Sequence, residues 1–195
     1  GATAAAEAVM QNVKGGKSVL VSDDIRPDTM SVLKTYLANK NLNIIVWATE
    51  PWEKDAQTIE SVLTPDIAAV YVEQPGYSGE VRDLKEISAA VHAVGAKLIV
   101  GGNPMAYALT ASPGECGADV AVGDAHPVGM PTAFGGPYLG YYAVPKKDVR
   151  KMPGRIVGKT TDRFGKDAYV LTLQPREQHI KRERALSNIG SNQAL

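Results

Sequence analysis

The sequence predicts an α/β protein built on a mostly parallel sheet, and three observations carry that expectation. Five short β-rich runs recur through the first two-thirds of the chain: SVLVS (18–22), NIIVWA (43–48), IAAVYVE (67–73), KLIVG (97–101) and ADVAVG (118–123). Near-continuous apolar runs of this length suit strands covered on both faces by other layers. Between them, residues 4–13, 27–39, 52–63 and 81–94 place apolar side chains at helical spacing. The repeating unit is therefore β-α-β with right-handed crossovers. Finally, Gly76 and Gly79 in QPGYSGE bracket a loop just past the third strand, where ligands of open α/β sheets tend to bind.

Each element follows from local chemistry. The run ATAAAE opens the first helix; Thr3 is a candidate cap, and Glu7 suits the positive end of the helix dipole. Gly15 and Gly16 end that helix. After about residue 145 the character changes to a basic stretch (KKDVRKMPGR), a hairpin candidate at 162–167 (DRFGKD), YVLTLQ, then REQHIKRERA at 176–185 and an irregular tail from 186. The expected organisation is a core over residues 1–145 and a C-terminal extension over 146–195 with hairpin, helix and tail.

Composition narrows the function classes. At 195 residues, 44% apolar and 22% charged, the chain is long enough for one sizeable core. Its 21 basic and 21 acidic side chains cancel, so no global field recruits nucleic acid or an anionic membrane. The apolar runs fall far short of the roughly 20 residues a membrane span needs. One cysteine, Cys116, forms no intrachain disulfide, and a cytoplasmic location is expected. The first residue is Gly1, so the sequence reads as an excised domain.

Few residues advertise chemistry. Gly1, Ala2 and Thr3 precede a helix and present free backbone N–H groups, which makes a candidate phosphate cradle; plain capping explains the same pattern. His92 reads as a packing residue, His179 as part of a solvated basic face, and Cys116, ahead of an apolar strand, as a buried inert thiol. No second histidine or cysteine stands at metal-ligand spacing. The basic run 146–155 lacks interleaved aromatics, so a solvated face or a subunit contact is expected there rather than a nucleic-acid patch. Phe134, Gly135, Gly136 and Tyr138 belong to AFGGPYLGYYAV, a tight turn leading into a strand.

Taken together, GATAAAEAV, PDIAAVYVEQPGYSG, VHAVGAKLIV, the run from SPGECGADVAVGD to FGGPYLG, MPGRIVG and REQHIKRERALSNIGSNQAL resemble the P-protein of the glycine cleavage system. Within that family the likeness is nearest to the alpha-type chain of the two-subunit form. The resemblance implies the large domain, in part, of the fold type I architecture of pyridoxal phosphate (PLP) enzymes: a three-layer α/β/α body whose LGYYAV strand runs antiparallel to its neighbour. It also implies that a small domain and an N-terminal part lie outside this chain.

The resemblance gives GDAHPVGMPTAFGGP its meaning. In the catalytic chain of the family a lysine ahead of the glycine-rich turn holds PLP, and His126 falls at that position here. An imidazole has no primary amine with which to hold the cofactor's aldehyde. An acid facing the pyridine nitrogen is expected at the end of KLIV, where Gly101, Gly102 and Asn103 stand. Arg26-Pro27 replaces a His-Pro pair expected beneath the cofactor ring. No lysine occurs between Lys97 and Lys146.

The implied function is that of a subunit carrying no catalytic residue of its own. It would pair with a PLP-bearing beta chain that decarboxylates glycine and passes the aminomethyl group to the lipoyl arm of the H-protein. The turn Phe134, Gly135, Gly136 and Tyr138 would sit at the subunit boundary, Gly1, Ala2 and Thr3 would form a vestigial phosphate cradle, and the isolated chain would be inactive. Two alternatives stand beside this reading: a scaffold with no part in the active site, or an independent PLP enzyme whose lysine lies outside this sequence.

Overall fold

The computed structural model describes residues 1–13, 18–38, 40, 42–48, 55–132, 138–174 and 177–185. These divide into two units, a body over Gly1–Val144 and an arm over Pro145–Ser191.

The body is a six-stranded sheet between two helical layers. Its strands are β1 (Ser18–Ser22), β2 (Ile44–Trp47), β3 (Ile67–Glu73), β4 (Lys97–Gly102), β5 (Val120–Asp124) and β6 (Gly140–Ala143), in the spatial order β2-β1-β3-β4-β5-β6. The first five are parallel, and β6 pairs antiparallel with β5, Asp124 opposite Gly140. Helices α1 (Ala2–Asn12) and α2 (Pro27–Leu37) cover one face, packing Val9, Leu33 and Leu37 on Val19, Val21, Tyr71, Ile99 and Val122. Helices α3 (Asp55–Val62) and α4 (Leu84–Ala93) cover the other, where Ile59 and Ile87 meet Leu20, Val70, Val72, Leu98 and Val100. Side chains alternate between the two cores along each strand, so β1, β3 and β4 are buried at nearly every position.

Several expectations change in detail. Gly1 is the N-cap of α1, and Thr3 lies inside the helix with its side chain exposed, so it caps nothing. Glu7 sits beyond the first turn, which holds no acid. Strand β2 lies at the edge, so Ile45 and Val46 are exposed rather than covered. Gly15 and Gly16 lie outside the described residues. Helix α4 is capped by Asp83, whose carboxylate accepts the Lys85 and Glu86 amides at 3.0 and 3.2 Å.

At the amino edge of the sheet, Asp119 ties β4 to β5. It accepts Lys97 Nζ at 2.6 Å and the Leu98 amide at 3.0 Å, and it meets His92 Nε2 at 2.8 Å. His92 Nδ1 lies 3.3 Å from Ser88 Oγ, which donates to the Gly117 carbonyl. The serine proton is spent on that carbonyl, so this Ser/His/Asp set fastens a helix to the sheet instead of activating a nucleophile. Cys116 is buried nearby, and burial pushes its thiol up.

The arm is built around a hairpin of β7 (Ile156–Thr161) and β8 (Asp167–Leu173), antiparallel, with the turn where DRFGKD predicts it. Asp162 closes that turn by accepting the Phe164 and Lys166 amides at 2.8 and 2.9 Å, and Gly165 adopts φ +77°. A 3₁₀ run covers Lys146–Lys151, and α5 is a single turn, Gln178–Lys181. Among the described residues no helix is long and apolar enough to cross a membrane.

Candidate functional site at the carboxyl edge of the sheet

The strand order reverses at β1: the chain goes to β2 on one side and returns to β3 on the other. The carboxyl ends of β1 and β3 thus border the crevice where open α/β sheets bind ligands. Glu73, the last residue of β3, is 7% exposed there. One carboxylate oxygen accepts the Arg26 amide and the other the Tyr71 hydroxyl, both at 3.0 Å. Burial pushes its carboxyl up, while those bonds and the Arg26 charge pull it down. The Arg26 guanidinium forks onto Asp28 at 3.0 and 2.7 Å, which holds the Asp28 carboxyl below the usual range.

The loop after β3 is fixed by buried charge. Asp24 accepts the Ser78 amide at 2.7 Å and its hydroxyl at 3.0 Å. Arg82, its side chain 1% exposed, pairs with Asp24 at 3.3 Å and Glu80 at 2.9 Å and lies 5.7 Å from the Trp47 ring centre. The Gln74 side chain bonds the Arg82 main chain in both directions, at 3.1 and 3.0 Å. Gly76 is required here because a Cβ would run into the Asp24 carboxylate. The loop so held presents Tyr77, 66% exposed.

Beside it, at the end of β4, Gly101 faces the α1–α2 side. The space its side chain would occupy is filled by the Tyr71 hydroxyl and the Glu73 Cγ. Asn103 spends its side-chain oxygen capping the next turn, accepting the Met105 amide at 3.0 Å. Tyr141 donates to the Gly102 carbonyl at 3.1 Å and lies 3.3 Å from the Tyr107 hydroxyl, and burial pushes both phenols up. At the end of β5, Asp124 accepts the His126 amide at 2.8 Å and the Leu139 amide at 3.3 Å. The His126 ring turns back, Nε2 lying 3.3 Å from the Pro131 carbonyl.

The N-terminus of α1 reaches this same edge. A Cβ on Gly1 would lie 3.7 Å from Asp124 Cβ and 3.9 Å from its carboxylate. Gly1, Ala2, Thr3, His126 and Tyr138 therefore collect at the carboxyl edge, whereas Phe134, Gly135 and Gly136 fall outside the described residues. Sequence reasoning passed over Glu73, Asp124, Asp24 and Arg82. The available signal was an acid closing an otherwise apolar strand, as in IAAVYVE and VAVGD.

Residues 1–195 match the family model described as glycine cleavage system P-protein. A curated relative from Brevibacillus brevis, glycine dehydrogenase (decarboxylating) subunit 1, is 46% identical over 100% of this chain and 44% of its own length. The chain belongs to the glycine cleavage system P-protein family. It spans less than half the length of the curated relatives it matches. A crystal structure of glycine decarboxylase (P-protein) in inhibitor-bound form superposes with TM-score 0.85 at 36% identity, covering 98% of this P-protein chain and 44% of that one. A putative O-acetylhomoserine (thiol)-lyase from Campylobacter jejuni, solved with N'-pyridoxyl-lysine-5'-monophosphate, superposes with TM-score 0.54 at 19% identity over 63% of this chain and 30% of its own. That last likeness shows the fold alone. The α/β body of this P-protein chain is thus the fold type I large-domain core, antiparallel β6 included.

Proposed function

We propose that this chain is part of the subunit of a two-chain glycine decarboxylase that does not carry the cofactor, and that it walls the active site of a PLP-bearing partner. The observation that carries the reading is His126: at the carboxyl edge, where the family resemblance expects the cofactor's lysine, stands an imidazole that lacks a primary amine. Two further observations support it. The position facing the crevice at the end of β4 is Gly101, and Tyr71 and Glu73 fill the space an acid would need to reach a pyridine nitrogen. The amino end of α1 has the Asp124 carboxylate beside it, a charge that opposes a phosphate. The residues present do not fit PLP, and Gly1, Ala2 and Thr3 are a relic of the cradle. PLP, when bound in the complex, supplies the electron sink for decarboxylation on the other chain.

This chain's own contribution is a surface. Among the described residues, six of the nine most exposed large apolar side chains of the body lie on carboxyl-edge loops: Tyr77, Val81, Met105, Leu109, Val128 and Tyr138. Leu109 is 92% exposed and Tyr138 is 74% exposed. An apolar rim around a crevice whose described side chains include no primary amine suits a partner whose active site it closes, excluding water and positioning substrate. In the proposed complex the two kinds of chain form a cytoplasmic heterotetramer that receives the lipoyl arm of the H-protein.

Mixing the chain with the second subunit of a two-chain P-protein tests it. Tyr138→Ala with Leu109→Ala, two exposed changes, should weaken pairing and glycine–bicarbonate exchange together while the far-ultraviolet spectrum stays unchanged. Exchange activity that survives in the paired variant favours the scaffold reading instead. A visible PLP band on this chain alone, fixed by borohydride, would refute the assignment of the cofactor to the partner.

A further inference from the structure

The loop between β3 and α4 is tied down at four consecutive amides around its tip. The Gly76 amide donates to the Glu80 carbonyl at 2.8 Å and the Tyr77 amide to the Asp24 carbonyl at 3.0 Å. The Ser78 amide donates to an Asp24 carboxylate oxygen at 2.7 Å, and the Gly79 amide to the Gly76 carbonyl at 2.9 Å. Gly79 takes φ +93°, a conformation that suits a residue without a side chain. Asp24 is itself held: its amide donates to Ser22 Oγ at 3.1 Å, and its carboxylate meets the buried Arg82 guanidinium at 3.3 Å. Ser22 closes β1 and is buried, so the tip of the loop is fastened through Asp24 to the sheet.

Stability alone does not account for this arrangement. Desolvation of a buried arginine and its carboxylates offsets much of their attraction, and apolar side chains of similar size hold a loop to a core at least as firmly. What the charged network adds is position, because Asp24 uses both carboxylate oxygens and its carbonyl to fix one conformation of the tip. The residue whose place is so fixed is Tyr77. Its amide and those on either side are bonded, while its side chain stands out in water. Val81, 57% exposed, adds apolar area on the same loop. An exposed aromatic ring on a fixed main chain has the properties of a binding anchor. Tyrosine covers a large apolar area with only two side-chain torsions to freeze, and the backbone beneath it loses little further freedom on contact.

We infer that Tyr77 is the anchor of the carboxyl-edge surface: a tyrosine placed in advance by Asp24 and Arg82, which seats its ring in an apolar pocket of the cofactor-bearing chain. Its hydroxyl meets a hydrogen-bonding group at the end of that pocket, as the polar tip of a tyrosine does when its ring is buried. Tyr77 belongs to the carboxyl-edge rim, which selects this occupant, and the inference rests on the pairing proposed above. It goes beyond that pairing by naming the residue on which the binding energy concentrates and the residues that set its place. Asp24 and Ser78 are positioning residues that act through Tyr77.

The dissociation constant of this chain with the second subunit of a two-chain P-protein, measured by calorimetric titration, tests the inference. Tyr77→Ala, an exposed change, should weaken pairing by about tenfold or more, chiefly through faster dissociation, and Tyr77→Phe by about threefold. Asp24→Asn should weaken it about fivefold in the native chain but less than about twofold beside Tyr77→Ala, since a loosened tip then has no ring to misplace. Ser78→Ala, at an exposed position, repeats that cycle if Asp24→Asn unfolds, and circular dichroism checks each variant. Native-like pairing by Tyr77→Ala, full affinity in Tyr77→Phe, or additive effects in the cycle would each overturn the inference. If Tyr77→Ala pairs normally while Tyr138→Ala with Leu109→Ala does not, the inference falls and the proposed pairing stands; if the two chains never associate, both fall.

Discussion

His126 shows how one residue decides what a loop can do while leaving its geometry intact. Its amide closes the turn onto Asp124 at 2.8 Å, a main-chain bond that a different side chain at this position leaves in place. His126→Lys places a primary amine in the loop, as the proposed reading requires of a cofactor-bearing chain, yet Tyr71 and Glu73 still occupy the space over Gly101. The expected outcome is a folded variant with no PLP absorbance after dialysis against the cofactor; a bound band would place the obstacle at residue 126 alone. Glu7 makes the second prediction at this scale. Burial pushes its carboxyl up to about 7, against the pull of Lys40, and one of its oxygens has no hydrogen-bond partner. The folded form keeps the proton that the unfolded chain releases near pH 4.5, so stability falls as pH rises from about 4.5 to about 7. Glu7→Gln should therefore stabilise the chain by about 1–2 kcal/mol at pH 8, after allowing for solvent screening, and change little at pH 4. Urea unfolding at the two pH values checks both the size and the sign.

Individual elements are held by a few polar groups. Asp83 caps α4 with two amide hydrogen bonds, and Asp83→Ala should cost about 1 kcal/mol, read as a lower urea midpoint at constant m-value. The β3–α4 loop depends on a charge network whose arginine is out of contact with water. Arg82→Met leaves Asp24 and Glu80 without their cation and should cost about 3–5 kcal/mol, seen as a thermal midpoint lowered by several degrees. The strands were legible as apolar runs, but their edges were not. The sequence NIIVWA reads like the central strands, and only its place outside β1 exposes Ile45 and Val46. The cap of α1 was misplaced by two residues because Thr3 competes with Gly1 for that role, and a helix can begin at either.

For the whole molecule, two cores share one sheet, and a change in either should propagate through it. Leu98→Ala, at a fully buried strand position between β3 and β5, should cost about 2–5 kcal/mol. A single cooperative transition is expected for the body, with coincident loss of tyrosine fluorescence and far-ultraviolet signal as the check. Two polar sites occupy the opposite ends of this sheet. The amino edge uses Asp119, His92 and Lys97 to fasten helix to strand, and the carboxyl edge gathers Glu73, Asp124 and the exposed apolar rim.

The sequence by itself determined the layered α/β plan, the hairpin turn at DRFGKD and the identity of residue 126, because period, turn chemistry and side-chain functional groups are local properties. Its runs through FGGPYLG, MPGRIVG and REQHI also carried the family likeness. Only the tertiary structure decided which strand lies at the edge, that Tyr71 reaches across to fill the space above Gly101, and that Asp24 meets Ser78 and Arg82. These contacts join residues 30 to 58 positions apart, and the order of strands in the sheet sets such distances, a property no local pattern encodes.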